Sequence, residues 1–385
     1  MISEIPAPTV GEFWTARQRQ ASSLHEVSYR ACFKPQLPAY FIDRYSEPGG
    51  FVLDPFSGRG TTVVEAALRG RAPIANDINP LSAILARPRL EPPTPAAVEE
   101  RLASLPFDRS RPADRDLSMF FHPDTLGEIV SLKDTLALRA SRGVEDATDR
   151  WIRMAATNRL TGHSVGFFSV YTLPPNQAAS PESQVKINAK LRQTPDYRDV
   201  KKLIMKKTLR LLRDVSDDVR ARLHTAAGAA RFLTGDAAEL AEVADGSVDL
   251  AVTSPPFLDV VNYAADNWMR NWFNGIDGGA VSRRASAFKS VEDWSRAMAA
   301  AFRELFRVAR PGGRVAFEVG EVRGGSVRLE EVVVPLGRVA GFEAEAVLIN
   351  EQAFTKTSNI WGVDNNARGT NTNRIILFRK PGGRK

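Results

Sequence analysis

The sequence predicts an α/β protein with a Rossmann-like sheet that is mostly parallel, has an antiparallel edge strand and carries a largely helical insertion. Three observations predict this fold: residues 51–77 alternate between strand and helix patterns, the alternation resumes at about residue 230, and the pattern between them is mostly helical. Strands that alternate with helices are typical of a doubly wound parallel sheet. We therefore expect a first half of the core with an N-terminal arm (1–91), an insertion (92–229) and a second half of the core (230–385).

The first half of the core contains a strand–turn–helix–strand unit. Residues 1–50 have the pattern of an arm of short helices, and the strand FVLD then ends at Asp54. The glycine-rich turn PFSGRG and the helix TTVVEAALRG follow, and a second strand, RAPIAND, ends at Asp77. Glycines in such a turn let the backbone approach a ligand closely, although a G-x-G turn alone is also common for structural reasons.

The second half of the core resumes the same rhythm. ARFLTGD predicts a strand that ends at Asp236, followed by a short helix and the buried strand VDLAV, after which comes the corner TSPPF (253–257). A long helix over about 291–309 and the strand RPGGRVAFEVG come next. The runs GFEAEAVLINEQAF and TNRIILFRK predict two final strands, antiparallel at the sheet edge.

The composition is that of a globular protein that can bury a core. Of 385 residues, 43% are hydrophobic and 25% are charged. No apolar run reaches the ~18 residues of a membrane span, and the start lacks the features of a secretion signal, so we expect a cytoplasmic protein. A single cysteine, Cys32, excludes a disulfide framework, and four histidines without ligand-like spacing predict no metal.

The charge balance is basic, with a net charge of +7 and a pI near 9.6. This is compatible with a polyanionic partner but does not require one. The stretch KKLIMKKTLRLLRD (201–214) concentrates lysine and arginine on a helical pattern. Such a helix faces either solvent or nucleic acid, and the sequence leaves both open.

Polar residues stand where four predicted strands end, at Asp54, Asp77, Asp236 and Ser254. Ligands of doubly wound sheets bind at the carboxyl ends of the strands, so these side chains predict one site. An acid before the turn disfavours a pyrophosphate and suits a cationic or zwitterionic ligand, such as the methionine end of S-adenosylmethionine. Asp77 is placed to accept hydrogen bonds from ribose hydroxyls and Asp236 from an adenine amino group, and each also suits a helix cap.

The corner TSPPF follows a buried strand with two adjacent prolines. Proline has a fixed φ and no backbone donor, so the corner cannot continue a central ladder. Ser254 adds a hydroxyl acceptor and Phe257 a flat ring, a combination that can hold an exocyclic amine while its base, swung out of the helix, stacks on the ring. The structural alternative is a loop corner with Phe257 in the core.

DPFSGRGTT (54–62) and TSPPF together resemble motifs I and IV of the S-adenosylmethionine-dependent DNA amino-methyltransferases, which methylate cytosine N4 or adenine N6. The resemblance covers about 30–90 and 230–380 and implies a methyltransferase sheet, S-adenosyl-L-methionine as the cofactor and DNA as the partner. Here the cofactor motif precedes the catalytic motif, whereas many relatives with a DPF-type motif have the reverse order. The insertion between the two motifs becomes the candidate target-recognition region.

The resemblance also assigns site residues. The first position of the catalytic tetrapeptide is Asp or Asn in most adenine enzymes and Ser in most cytosine-N4 enzymes, so Ser254 favours cytosine N4 and leaves adenine N6 open. The segment YRACFKPQLPAYF (29–41) is similar to one that contacts the methionine part of the cofactor. The expected catalytic residues are Ser254, Pro255, Pro256 and Phe257. The expected cofactor-binding residues are Phe33, Asp54, Pro55, Phe56, Gly58, Gly60, Thr61, Thr62, Asp77, Ile78, Asp236 and Ala237.

Candidate DNA contacts lie in three stretches outside these motifs. The segment 161–177 interleaves aromatic and polar residues, of which Phe167 and Phe168 are expected in the core. The basic helix is the second stretch, and the third, 368–374, either touches DNA backbone or forms a turn. The candidates are His163, Tyr171, Asn176, Lys201, Lys202, Lys206, Lys207, Arg368, Asn371 and Arg374.

The sequence therefore predicts a methyltransferase that acts on the N4 amine of a flipped-out cytosine in a specific sequence of duplex DNA. We expect it near the nucleoid of a bacterial or archaeal cell, either solitary or with a cognate restriction endonuclease. Adenine-N6 methylation, methylation of an RNA base and an inactive methyltransferase fold that binds DNA stay open. The absence of a Pro-Cys pair near the catalytic strand argues against cytosine-C5 methylation, and the short glycine motif argues against a nicotinamide-dependent oxidoreductase.

Overall fold

The structure is a computed structural model that describes residues 5–14, 21–30, 32–256, 263–284, 288, 290–319, 328–351 and 372–382. Within these residues the strands are β1 (Pro8–Gly11), β2 (Phe51–Asp54), β3 (Ala72–Asp77), β4 (Arg231–Thr234), β5 (Val248–Thr253), β6 (Ala309–Val319), β7 (Glu343–Glu351) and β8 (Thr372–Arg379). The helices are α1 (Gln36–Tyr45), α2 (Thr61–Leu68), α3 (Leu81–Ala86), α4 (Pro95–Ser104), α5 (Pro123–Ser141), α6 (Ala147–Thr157), α7 (Pro181–Leu191), α8 (Val200–Leu211), α9 (Asp217–Ala229), α10 (Tyr263–Asp266), α11 (Trp268–Phe273), α12 (Gly278–Arg284), α13 (Val291–Val308) and α14 (Leu329–Val339).

The strands form one sheet in the order β1-β7-β8-β6-β5-β2-β3-β4. From β4 to β6 the neighbours are parallel, which confirms the predicted α/β fold with a mostly parallel sheet. The chain runs outward to one side through β2, β3 and β4 and then returns to add β5 and β6 on the other side. Strands β2 and β5 therefore flank the switch point, where doubly wound sheets bind their ligands at the carboxyl ends.

Both faces of the sheet are covered because side chains alternate along each strand. Val52 packs with α1 on one face, and Leu53 packs with α13 and α14 on the other. Helix α13 buries Trp294, Met298, Phe302 and Leu305 at helical spacing, and Ser290 caps its first turn by accepting from the Asp293 amide at 3.1 Å.

The interval 92–229 contains α4–α9 and no strand, apart from an isolated bridge between Gly162 and Tyr171. Many of its apolar residues form one cluster with Val63, Val64 and Ala67 of α2, in which Trp151 and Phe168 are fully buried. Phe167 is 5% exposed, which confirms that both phenylalanines belong to the core. Helix α9 packs on α2 and β3 and leads directly into β4. No described helix is long and apolar enough to cross a membrane.

Three local expectations were wrong. Residues 8–11 form a strand rather than a helix, because they pair in parallel with β7 at the edge of the sheet. The antiparallel strand β8 lies inside the sheet, between β6 and β7, rather than at its edge, because it pairs with both of them. The segment 237–243 forms turns instead of a short helix, since Glu304 of α13 accepts the Leu240 amide at 2.8 Å and Leu240 is buried.

Candidate active site

The glycine-rich turn leaves β2 and leads into α2. Gly58 and Gly60 have φ angles of 52° and 77°, in the left-handed region that favours glycine. A Cβ on Gly60 would lie 2.5 Å from the Cβ of Ala86, so this position also needs glycine for close packing on α3. The Ser57 amide donates to the Asn76 carbonyl at 2.9 Å, which holds the turn against the end of β3.

Asp77 ends β3 and faces this turn. Its carboxylate accepts the Gly58 amide at 2.8 Å and the Asn79 amide at 2.9 Å, so it fixes the turn and the entry to α3 together. The residue is half-buried, and burial raises the pKa of its carboxyl group. The structure thus places Asp77 beside the turn, as the predicted strand end required.

Asp54 ends β2 and is 2% exposed. Its Oδ1 accepts the Thr253 hydroxyl at 2.6 Å and the Phe56 amide at 3.2 Å. Burial outweighs these bonds and raises the pKa of Asp54 to about 7. The bond to Thr253 links the cofactor motif directly to the end of β5, across the switch point.

The corner after β5 leaves the ladder at Ser254, which is half-buried, and continues through buried Pro255 and half-buried Pro256. The indole nitrogen of Trp294 donates to the Pro256 carbonyl at 3.0 Å and fixes the corner on α13. The Thr62 hydroxyl donates to the Val252 carbonyl at 3.0 Å, so α2 also holds the strand that carries the corner. Phe257 lies outside the described residues.

The turn after β4 approaches the same edge. Asp236 is exposed, and its carboxylate accepts the Ala238 amide at 2.9 Å, while Ala237 is buried. Asn76, a buried residue that the sequence analysis did not single out, donates to the Pro55 carbonyl at 3.2 Å and to the Gly235 carbonyl at 3.1 Å. A polar residue within the buried strand pattern APIAND is the signal that could have identified it.

Two buried arginines hold the turn by hydrogen bonds to neighbouring segments. The sequence analysis identified neither of them. Arg59 donates to the carbonyls of Val27 and Phe33 at 2.9 and 3.4 Å and to the Thr61 hydroxyl at 3.1 Å. Arg89 is fully buried, donates to the Arg59 carbonyl, and has its pKa lowered to about 9 by burial. Arg59 therefore connects the turn to the segment of Phe33.

The remaining expected cofactor residues lie on or next to these elements. Phe33 and Phe56 are half-buried and pack at the margins of the two apolar clusters on opposite faces of the sheet. Ile78 is half-buried and directly follows Asp77. The turn, the end of β3 and the corner are thus brought to one edge of the sheet.

The loop 173–179 of the insertion contacts Arg30, three residues before Phe33. Arg30 donates to the Gln177 side chain at 3.1 Å and forms an ion pair with Asp266 at 2.9 Å. Of the candidate DNA contacts in this part, Tyr171 is 42% exposed. Asn176 is half-buried, and His163 is half-buried with its ring 6.3 Å from that of Phe167.

The expectation that the basic helix presents all four lysines to DNA was wrong for one of them. Lys207 of α8 is 4% exposed, donates to the Glu26 carbonyl, and has its pKa lowered to about 6 by burial. Lys202 and Lys206 are exposed. The ammonium group of Lys201 lies 4.6 Å from the centre of the Phe107 ring.

Arg374 forms an ion pair with Glu330 of α14, whose side chain is 5% exposed, so its charge already has a partner within the fold. Its contact with DNA stays a prediction. Arg368 and Asn371 lie outside the described residues.

Comparisons with known proteins agree with the motif interpretation over part of the chain. Residues 4–84 match the N6/N4 methyltransferase family model, which is described as DNA methylase. Over 75 residues the chain is 35% identical to the type II methyltransferase M.MjaII of Methanocaldococcus jannaschii, and the match covers 20% of this chain and 14% of that relative.

Three solved structures are also similar to this chain. A protein of Thermus thermophilus named as a DNA modification methylase is 26% identical and matches 39% of this chain and 53% of its own, with a TM-score of 0.25. TrmN from the same species is 14% identical over 95% of this chain and 53% of its own, with a TM-score of 0.36. A SAM-dependent methyltransferase from Methanosarcina mazei is 13% identical over 89% and 97%, with a TM-score of 0.34.

The family match spans β2, the glycine-rich turn, β3 and Asp77, which is the half of the site that carries the cofactor motif. It bears out the resemblance seen in the sequence and, with it, S-adenosylmethionine as the cofactor that this family uses. Residues 4–84 of the chain are therefore similar to the DNA methylases of the N6/N4 methyltransferase family.

Proposed function

We propose that the chain is a DNA methyltransferase that acts on the N4 amine of a cytosine held at the TSPP corner. The hydrogen bond of 2.6 Å between Thr253 and Asp54 is the observation that carries this proposal. It brings the first residue of the corner into contact with the acid of the cofactor motif, at the carboxyl ends of two adjacent strands. A methyl donor and a methyl acceptor must meet at such a point.

The residues around the turn fit S-adenosylmethionine. The positive φ angles of Gly58 and Gly60 shape the turn that the cofactor would approach, and two carboxylates, Asp54 and Asp77, lie beside this turn. Carboxylates favour the positively charged groups of this molecule, and Asp77 stands at the strand end that suits ribose hydroxyls. When bound, S-adenosylmethionine supplies a methyl group activated by its sulfonium.

The corner supplies the groups that act on the base. The exocyclic amine of cytosine is a poor nucleophile because its lone pair is delocalised into the ring. The Ser254 hydroxyl and the Pro255 carbonyl would accept its two hydrogens, which frees the lone pair, and Trp294 keeps the corner rigid. The proton that the methylated amine loses goes to water, so no strongly basic side chain is required.

Adenine N6 is the second candidate, since the same acceptors suit either exocyclic amine and only the serine at position 254 favours cytosine. Other parts of the proposal are that the insertion 92–229 recognises the target sequence and that the DNA is duplex with the base flipped out. A cognate endonuclease would be a separate protein.

The decisive experiment incubates the protein with S-adenosylmethionine and mixed-sequence duplex DNA, followed by digestion and mass spectrometry of the nucleosides. N4-methylcytosine is the expected product. N6-methyladenine would contradict the base assignment and keep the mechanism at the corner. Parallel reactions with single-stranded DNA and RNA decide the substrate, and methylation of RNA alone would overturn the DNA assignment.

A further inference from the structure

A groove of about 590 Å³ lies beside α10, α11 and α12, the helices that follow the corner in the chain. Trp268, Trp272 and Asn271 line it together with Arg115 and Gly278. Of the described residues that line it, none belongs to the glycine-rich turn or to the TSPP corner. The groove is thus built from residues that the candidate active site does not use, and its volume is in the range of ligand pockets.

Asn271 is the unusual residue of this groove. It is 2% exposed, and neither its side-chain oxygen nor its side-chain nitrogen has a hydrogen-bond partner among the residues that the structure describes. Buried polar atoms without partners destabilise a fold, and native proteins keep few of them. A carboxamide presents a donor and an acceptor side by side, so the fitting partner offers an acceptor and a donor at the same spacing.

The amide nitrogen of Asn271 lies close to a position without a side chain. A Cβ placed on Gly278, the first residue of α12, would lie 3.5 Å from Asn271 Nδ2. Because glycine stands there, this side of the carboxamide is not covered by the helix.

Two fixed aromatic rings stand beside the carboxamide. The indole nitrogen of Trp268 donates to the Ala179 carbonyl at 3.0 Å, and that of Trp272 donates to Asp114 at 2.6 Å. Positive charge is close by, since Lys133 lies 5.8 Å from the centre of the Trp272 ring and half of the Arg115 side chain is exposed. The groove therefore combines aromatic surface, a bidentate polar group, the guanidinium of Arg115, which lies 4.0 Å from Asp114, and the carboxylate of Asp277.

We propose that this groove binds an unstacked nucleobase of the nucleic-acid substrate, other than the base that is methylated, and that Asn271 reads its edge. This inference rests on the proposed function. Bases stack on aromatic side chains, and Arg and Lys pair with the phosphates that flank them. Adenine offers the N7 acceptor and the N6 donor that a carboxamide matches in pairs, so adenine fits the groove best.

The test measures the affinity of the full chain for short labelled oligonucleotides of deoxyadenosine and of deoxycytidine by fluorescence anisotropy. Saturating S-adenosylhomocysteine keeps the cofactor site filled, so that it does not compete for adenine. The wild-type protein should bind the deoxyadenosine strand about tenfold more tightly, the discrimination expected of one bidentate contact. Asn271→Leu should remove this preference and leave the affinity for deoxycytidine unchanged.

Gly278→Ala offers a second, milder variant that covers the amide with one methyl group at ordinary contact distance and should weaken binding of the deoxyadenosine strand alone. Gly228→Ala in α9 is the matched control, because its added Cβ meets nothing within 4 Å. If Asn271→Leu fails to fold by circular dichroism, Gly278→Ala carries the test.

Equal wild-type affinity for the two strands, or an equal loss on both in the variants, would overturn the base site. Unchanged binding of both strands in both variants would also overturn the base site. That result would indicate that the groove holds a protein segment instead. The measurement requires no methyl transfer, so failure of the base site and failure of the proposed reaction are distinguishable.

Discussion

The glycine-rich turn and helix α8 both concentrate charge, and the protein uses that charge in different ways. At the turn, Asp54 and Asp77 sit at the ends of neighbouring strands and bind backbone amides or a hydroxyl next to each other. Lys207 of α8 is buried, and Glu26 pairs with Arg210 of α8 and with Arg213, two residues beyond the end of the helix.

The difference lies in how each element positions a side chain. Parallel strands bring their carboxyl ends to one edge, so residues far apart in the chain converge there whatever lies between them. A helix distributes consecutive residues around its axis, so a run of lysines supplies both a buried and an exposed member. Charge at a strand end is therefore a better guide to a site than charge along a helix.

The largest effect expected at the turn-and-corner edge is that of Ser254→Ala. Turnover in methyl transfer should fall about a hundredfold, the loss typical of removing one group that stabilises the transition state. The dissociation constant for S-adenosylmethionine should not change, since the hydroxyl acts on the base. Steady-state kinetics and calorimetry measure the two quantities, and exposed Ser141→Ala is the control. Equal losses in both would remove Ser254 from its assigned role.

Asp77→Asn should come next. Replacing a carboxylate that binds a ligand's hydroxyls should weaken S-adenosylmethionine on the order of tenfold, as for a hydrogen bond to a charged group. Asp116→Asn is a matched control, because exposed Asp116 accepts the amide two residues ahead at 2.9 Å just as Asp77 does. An unchanged dissociation constant by calorimetry would show that Asp77 only holds the turn.

Asp54 predicts a pH dependence of cofactor binding. Because burial raises its pKa to about 7, the carboxyl group is neutral below that pH in the free protein. Affinity for a cationic cofactor should therefore fall about tenfold per pH unit below 7, and Asp54→Asn should abolish this slope. Calorimetry between pH 5.5 and 8, about one and a half units below the pKa to one above it, measures the slope. A slope that persists in the variant would assign it to another group.

The carboxyl group of Asp54 also makes the free energy of unfolding depend on pH. This free energy falls as the pH rises, whereas the affinity for the cofactor increases. In the unfolded chain Asp54 loses its proton near its ordinary pKa of 3.8, whereas in the folded protein it keeps the proton up to about pH 7. Its stabilising contribution is therefore present below pH 4 and is lost as the pH rises through 7. As the pH rises from 5 to 8, the free energy of unfolding of Asp54→Asn should increase on the order of 2 kcal/mol relative to that of the wild type. Urea unfolding at both pH values measures this difference. A constant difference between the two proteins would argue against the raised pKa.

The sequence predicted the residues whose position depends on their own strand and missed those that depend on a distant partner. Asp54 and Asp77 follow apolar runs, so their strand ends were readable. Thr253 matters only because the pairing of β2 with β5 brings it within hydrogen-bond distance of Asp54, 199 residues away in the chain. Strand β1 has only four residues and forms through its pairing with β7, which no local pattern encodes.

Lys207 is a different kind of miss, because its signal was present in the sequence. Val200, Ile204 and Leu211 are buried on α8, and Lys207 falls on the same stripe at helical spacing. The many basic residues of this stretch make the helical periodicity of its buried positions less apparent in the sequence. The structure thus separates buried Lys207 from exposed Lys202 and Lys206, and the helical spacing of the sequence already implied this separation.

The smallest expected effect tests this division. Replacing exposed Lys202 and Lys206 with alanine should reduce the slope of log affinity for DNA against log salt by about 1.8, if both contact phosphates of a duplex. Lys207→Met should leave the slope unchanged, because the residue is buried and burial lowers its pKa to about 6, so it is mostly uncharged at pH 7.5. Fluorescence anisotropy over a salt series measures all three proteins. An unchanged slope in the Lys202/Lys206 variant would show that α8 faces solvent. The charges of α8 would then have no role in binding, in contrast to the carboxylates proposed to bind the cofactor at the turn.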